Sequence, residues 1–481
     1  LTSFFKRIIS KTEHFFSPDS LRSLWSDLKE SIGGTEKDFT RINLGKAIFL
    51  LAIPMVLEMI MESVFAIVDI LFVARLGADA IATVGITESI LTLVYAIGFG
   101  LSIATTAIVS RRIGEHNPEG AAKSAFQAIL AGIIISIFIA VPGIIYSKDL
   151  LKLMGASQSV IDTGYMYPAI MLGGNSVIML LFIINAVFRS SGDAAISLRV
   201  MVLANVLNII LDPCFIFGWG PFPELGVMGA AVATSIGRGV AVVFQFYLLF
   251  KGNHRIMLRL RHMKVSIEII VKLLRLSAGG IFQNLIATSS WIFMVRIISG
   301  FGTEVVAGYF IGIRILIFTL LPSWGLANAA GTLVGQNLGA REPQRAERAV
   351  MAAAWFNIVL LGIVALILIT NTGFFISLFT TDPAVLTAGI ICLRTISYGY
   401  VLYALGMVMT QAFNGAGDTR TPTLINLVAF WAVEIPLAYL LASKTGMQEQ
   451  GVYFAIIIAE TVLSITAFYV FKKGYWKNRI V

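Results

Sequence analysis

The sequence predicts an all-α membrane protein of twelve transmembrane helices in two pseudo-symmetric six-helix lobes. Three observations predict it: an apolar composition, basic loops that fall on one side only, and an internal duplication at a single offset. Of the 481 residues, 57% are hydrophobic and only 13% charged, roughly half the charged share of a water-soluble protein. After residue 45 the chain runs in long apolar segments separated by short polar loops. Only helices and closed barrels satisfy the backbone inside lipid. Barrel strands alternate in and out at every second residue, and runs such as AGIIISIFIAVPGIIY (131–146) and FNIVLLGIVALILI (356–369) do not.

Residues 1–45 mix Phe, Leu and Trp with charges at helical spacing and hold no continuous apolar core. They predict a cytoplasmic N-terminal segment, either a loose tail or an amphipathic helix on the membrane surface. Twelve spans follow, near 46–72, 82–110, 122–146, 160–188, 196–217, 227–250, 270–298, 304–332, 348–370, 384–412, 421–442 and 451–471. With loops alternating sides, one side holds eighteen Lys and Arg, among them Arg111, Arg112, Arg189, Arg199, Arg255, Arg345 and Lys472; the other holds Arg75, Lys148, Lys152 and Lys444. The basic side is expected in the cytoplasm, with both termini. That asymmetry accounts for the net charge of +9 without invoking nucleic acid. Residues 46–250 form the expected N-lobe, 251–269 a basic cytoplasmic linker, 270–471 the C-lobe and 472–481 a tail. Cys214 and Cys392, the only cysteines, lie in apolar segments, which argues against a disulfide framework.

A shift of 225 residues aligns the two halves: Gly77 meets Gly302, Gly100-Leu101 meets Gly325-Leu326, Gly114 meets Gly339, Pro118 meets Pro343, and Gly192-Asp193 meets Gly417-Asp418. Aligned Gly, Pro and Gly-Asp at loop ends are not chance apolar matches. Six spans per half insert both halves in the same orientation, related by an axis along the membrane normal. A cleft between such lobes can open to either side in turn, the physical basis of a transporter. The sequence carries no repeated selectivity filter, no metal-spaced His/Cys/Asp cluster and no catalytic constellation. His14, His116, His254 and His262 all fall in the tail or in loops.

A carboxylate at membrane depth is a functional hypothesis by default. Span 1 holds Glu58, Glu62 and Asp69, whose spacing puts all three on one helical face. In span 5, Asn208 and Asp212 share a face beside Pro213; span 6 carries Thr234 in GAAVATSIG, where small residues permit close packing. Asp69, Asn208, Asp212 and Thr234 are expected to converge in the first lobe. Two carboxylates in a low-dielectric pocket resist ionising together, so the site suits a proton, or Na⁺ held by the added Asn and Thr oxygens. Glu58 faces either this pocket or a watery vestibule. The second half differs: Asp69 aligns with Met294, Glu58 with Gln283, Asn208 with Val433 and Thr234 with Ala459. Its own candidates for burial are Arg296, Arg314, Arg394, Glu434 and Glu460, either as an Arg–Glu pair or in substrate binding.

Over residues 45–475 the chain resembles the multidrug and toxic compound extrusion (MATE) transporters. The resemblance rests on Pro54 with VDILFVARLGADAIA (68–82), NIILDPCFIFG (208–218), GVMGAAVATSIG (226–237), GTEVVAGYFIGIRI (302–315) and NGAGDTRTP (414–422). It implies a V-shaped pair of lobes exporting small organic, often cationic, compounds by alternating access, with H⁺ or Na⁺ as coupling ion and no other cofactor. Asp69, Asn208, Asp212 and Thr234 match the N-lobe cation site of one branch, and Pro54 the proline at which span 1 bends. Another branch places coupling acids in spans 7 and 10; here span 7 has Gln283 and Asn284, while Glu434 and Glu460 keep C-lobe coupling open. The alternative is a flippase for lipid-linked oligosaccharide or lipid from the same superfamily, which calls for Arg and Lys around the central cavity. The expected setting is the plasma (inner) membrane, crossed many times, and a monomer is the simplest assembly.

Overall fold

The structure, a computed structural model, describes residues 18–35, 37–252, 254–479 and 481. Residues 1–17 of the N-terminal segment, His14 among them, lie outside the described residues. Among the described residues every regular element is a helix. Helix α1 (Pro18–Gly33) precedes two sets of six. The first set is α2 (Leu44–Val73), α3 (Ala78–Gly114), α4 (Pro118–Ile145), α5 (Met166–Ser191), α6 (Ala194–Phe217) and α7 (Val227–Lys251). The second is α8 (Ile267–Ile298), α9 (Thr303–Gly339), α10 (Pro343–Thr370), α11 (Pro383–Ser397 with Tyr400–Gly415, bent by 55°), α12 (Arg420–Lys444) and α13 (Glu449–Lys473). Ten helices are long and apolar enough to cross a membrane, and the bent α11 makes eleven. The twelfth is α2, 30 residues long and carrying the three expected carboxylates.

The duplication is visible in the backbone. Asn117 and Glu342 precede Pro118 and Pro343, each proline at a helix start where its missing N–H costs nothing. The paired turns before them put His116 (φ 54°) and Arg341 (φ 59°) in the left-handed region. Asn117 N donates to Arg112 O at 2.9 Å, and Glu342 N to Asn337 O at 2.8 Å. Gly192 (φ 101°) and Gly417 (φ 82°) end their helices alike: Asp193 N donates to Phe188 O, and Asp418 N to Phe413 O, each at 2.9 Å.

Three expected spans are not single rods. The segment expected at 160–188 starts as a separate short helix, Gln158–Gly164. The span at 384–412 is the bent α11, turning at Tyr398-Gly399. In the span at 421–442, residues Leu427–Glu434 form a π-helical turn that ends two residues before Pro436, which has no N–H to continue the ordinary ladder.

The two halves meet through glycine. A Cβ on Gly114 would strike the backbone of Gln336, one on Gly339 that of Arg111, and one on Gly325 would come 2.6 Å from Met55 O. Nearer mid-depth, Gly280 lies against Gly100, where an added Cβ would stand 2.9 Å from the Gly100 Cα. Gln336 Nε2 also crosses between halves to Ser190 O at 2.8 Å. These approaches close the cleft between the halves from mid-depth to the end that carries the basic loops, called here the basic end.

Both terminal segments bridge that closure. Phe39, fully buried, is held between the linker and the second half: Arg255 of the linker donates from Nη2 to Lys37 O at 2.5 Å, and Arg345 Nη2 donates to Phe39 O at 3.1 Å and also to Ile42 O. Near the C-terminus, Arg479 O accepts from Arg111 of the first half at 2.7 Å, while its guanidinium pairs with Asp418 of the second at 3.3 Å. Helix α1 packs on α2. Pro54 supplies no N–H to Leu50 O, and Ser31 Oγ of α1 donates to that carbonyl at 3.0 Å.

Gly114→Ala introduces an overpacking clash of about 1–3 kcal/mol into the closure. In detergent-solubilised protein this substitution should raise maleimide labelling of a cysteine placed at Leu338, 6% exposed, by about tenfold. Labelling unchanged from the Gly114 background would show that the glycine approach does not hold the basic end shut.

Candidate functional site

The carboxylates of α2 rise along one face and meet different neighbours. Glu58, 3% exposed, accepts from Arg189 Nη1 at 2.6 Å and Asn185 Nδ2 at 3.0 Å, both on α5. It is a buried ion pair, not a group in a watery vestibule. Arg189, expected among the loop cations, is drawn inside as its partner. One turn on, Glu62 stands 3.4 Å from Arg238 Nη2 of α7. The Arg238 guanidinium lies over the Phe65 ring, 4.4 Å from its centre. Two turns further along is Asp69, buried, with Oδ1 lacking any hydrogen-bond partner.

Helices α6 and α7 complete the pocket. They approach closely at Gly237, where an added Cβ would stand 3.1 Å from Ala204 O. Asn208 Nδ2 donates to Asp212 Oδ1 at 3.0 Å and to Thr234 Oγ1 at 3.3 Å. Asp212 is fully buried and interacts electrostatically with Asp69. Of the four residues expected to converge, Asn208, Asp212 and Thr234 are joined by these bonds, and Asp69 interacts with Asp212 through its charge alone. Three of their oxygens, Asp69 Oδ1, Asn208 Oδ1 and Asp212 Oδ2, are buried without a donor. Acceptor oxygens of this kind suit a proton or a small hard cation. Among the described residues no group of three or more His, Cys, Asp and Glu has metal-binding geometry.

On the far side of the Gly100–Gly280 crossing from the basic end lies a cavity of about 290 Å³ between the halves. Glu62, Tyr95, Phe99 and Phe182 line it from the first half, Asn284 and Thr288 from the second. Its chemistry is one carboxylate among aromatic rings, a surface suited to organic cations.

The second half holds its candidates differently. Gln283 Nε2 donates to Asn414 Oδ1 at 3.1 Å and to Thr419 O at 3.2 Å, and Asn414 Nδ2 returns a bond to Gln283 Oε1 at 3.2 Å. At the 225 offset Gln283 matches Glu58 and Asn414 matches Arg189, so one cross-link is ionic in the first half and neutral in the second. Glu434 accepts from Ser290 Oγ at 2.6 Å at the end of the π-helical turn, and Glu460 of α13 is half-buried. The expected Arg–Glu pair is not formed. Arg296, Arg314 and Arg394 are exposed; around Arg314, for example, Gly312, Ile313, Ile315 and Leu316 take the packed face of α9. Pro54 is buried within a continuous α2 and adjoins Met55, which Gly325 touches across the closure.

Sequence reasoning passed over Arg238, 4% exposed, and Glu88 of α3, half-buried beside it. The signal was present: a lone arginine in the apolar run TSIGRGVAVV meets the same rule that singled out the acids.

A family model described as MatE matches residues 54–214 and 280–440, once in each half. A probable multidrug resistance protein of Bacillus subtilis is 25% identical over 440 residues, spanning 90% of this chain and 94% of its own. A solved structure described as the outward-facing conformation of a multidrug resistance MATE family transporter superposes with a TM-score of 0.85 at 27% identity, covering 90% of this chain and 96% of that one. A MOP superfamily transporter from Pyrococcus furiosus, described as having a binding pocket of reverse polarity that suggests a different function, gives a TM-score of 0.86 at 26% identity over 92% and 98% of the two chains.

Removing one partner of a buried ion pair leaves an uncompensated charge. Arg189→Met should therefore lower stability by about 3–5 kcal/mol, read as a drop in melting temperature in detergent. The double variant Glu58→Gln/Arg189→Met, which imitates the neutral cross-link of the second half, should recover most of that loss. If the single variant melts like the parent, the ion pair does not support the fold.

Proposed function

The chain belongs to the MatE family, and on that premise we propose that it is an antiporter exporting small organic, often cationic, compounds in exchange for H⁺ or Na⁺. The observation that carries this reading is the set of partnerless buried oxygens on Asp69, Asn208 and Asp212, together with a cavity whose only charged lining residue among those described is Glu62, on the same helix as Asp69. A site that lacks only a proton or cation, along with a site that suits an organic cation, is the arrangement exchange requires.

The positive-inside rule assigns the basic end, with both termini, to the cytoplasm. The described state is then closed inward and presents its cavity outward. Residues 46–250 and 270–471 act as the two lobes of a monomer in the plasma membrane. H⁺ or Na⁺ entering from outside neutralises the acidic pocket and weakens the hold on a cationic substrate, which leaves outward. Helix α2 bends near Pro54, where Leu50 O is already released from the helical ladder. Because Met55 abuts Gly325, a bend there acts directly on the closure between lobes. The cycle moves substrate uphill only if ion and substrate differ in affinity for the two facing states.

A flippase for a lipid-linked pyrophosphate is less well supported. Such a ligand needs cations around the cavity, and Arg296, Arg314 and Arg394 lie elsewhere among the exposed residues.

In cells expressing equal amounts of protein, Asp69→Asn and Asp212→Asn should each abolish active drug efflux while leaving a folded protein. Normal efflux from both would remove this pocket from the mechanism. In proteoliposomes, export of an organic cation should be driven by a pH gradient alone or by a Na⁺ gradient alone. Transport that responds to neither, or that follows a lipid-linked sugar instead, would overturn the proposal.

A further inference from the structure

The N-lobe holds a cation of its own where its acids are expected to bind a proton or Na⁺. Arg238 reaches the cleft by its bond to Glu62 at 3.4 Å, yet its side chain is 95% buried, as only 5% is exposed. Its guanidinium rests on Phe65. Glu62, Phe65 and Asp69 follow one another at spacings of three and four, so they stack along one face of α2. The guanidinium, resting on Phe65, thus lies along that face between Glu62, to which it bonds, and Asp69, about one helical turn (~5.4 Å of rise) beyond Phe65. Two atoms on this path are buried without partners, Arg238 Nε and Asp69 Oδ1. They are a donor and an acceptor, and the guanidinium and Asp69 interact electrostatically.

We propose that Arg238 is a mobile counter-ion that joins the substrate cleft to the buried acidic pocket, held by Glu62 when the cleft is empty and displaced toward Asp69 by an aromatic cation that binds Glu62. This rests on the antiport reading above and supplies its link. Neutralising Asp69 by H⁺ or Na⁺ sends Arg238 back to Glu62, where it competes directly with the substrate's positive charge. The groups facing Arg238 are Glu62 and Asp69 on α2, Glu88 and Tyr95 on α3, and Tyr167 on α5; Asp212 on α6 faces Asp69. Glu88 interacts with the guanidinium through its charge and offers a second acceptor. Arg238 touches no substrate in this scheme; it positions charge.

The test is equilibrium binding of ethidium to purified wild-type protein and to Arg238→Met and Arg238→Lys, with and without acidification or added Na⁺. Wild type should release ethidium as H⁺ or Na⁺ rises. Arg238→Met should bind ethidium roughly tenfold more tightly and keep it when the ion is added. Arg238→Lys, which retains the charge and guards against a folding defect in the methionine variant, should restore ion-dependent release. Ion-dependent release that survives intact in folded Arg238→Met overturns the counter-ion while leaving antiport standing. So does an Arg238→Lys protein that binds ethidium but ignores the ion. Wild-type binding indifferent to both ions overturns the counter-ion and the antiport reading together.

Discussion

A charge inside a membrane protein must find a partner or a function, because lipid and packed side chains replace little of its hydration. This constraint organises the first six membrane helices. Glu58 is matched by Arg189 and Glu62 by Arg238, which ties α2 to α5 and to α7. Asp69 and Asp212 exceed the supply of cations, and their free oxygens have nowhere to turn. The second half solves the equivalent problem with amides. Gln283 and Asn414 close the same cross-link without charge, so that half is quieter at the corresponding depth. A duplicated frame thus carries an ionic cross-link in one lobe and a neutral one at the matching position of the other.

The contact between halves has a matching logic. Within lipid there is little hydrophobic gain in pressing helices together, and association depends on close packing. Glycines at 100, 114, 280, 325 and 339 let backbones touch. Such a surface has no long side chains to disentangle, so it can part and re-form. The cavity begins where this glycine contact ends.

Much of this was legible in the sequence. Span number, pseudo-symmetry and the meeting of Asn208 and Asp212 with Thr234 followed from apolar length, a constant offset and helical spacing, all of which are local or periodic signals. The breaks in α11 and α12 were not, since Gly399 and Pro436 each permit either a continuous or a broken helix and packing decides. Pairing was the weakest point. Arg189 read as a loop cation because it stands three residues from a turn, and Arg314 read as buried because its neighbours are apolar. In both cases the deciding fact is which face of the helix looks inward, and a window of hydropathy averages over faces.

The segment ahead of the membrane helices has a consequence for the rest. Ser31 occupies the carbonyl that Pro54 leaves open, and the backbone around Phe39 is gripped by Arg255 of the linker and Arg345 of the second half. It therefore works as a splint laid across a joint: α2 cannot flex, nor the halves separate at that end, without first stripping it off.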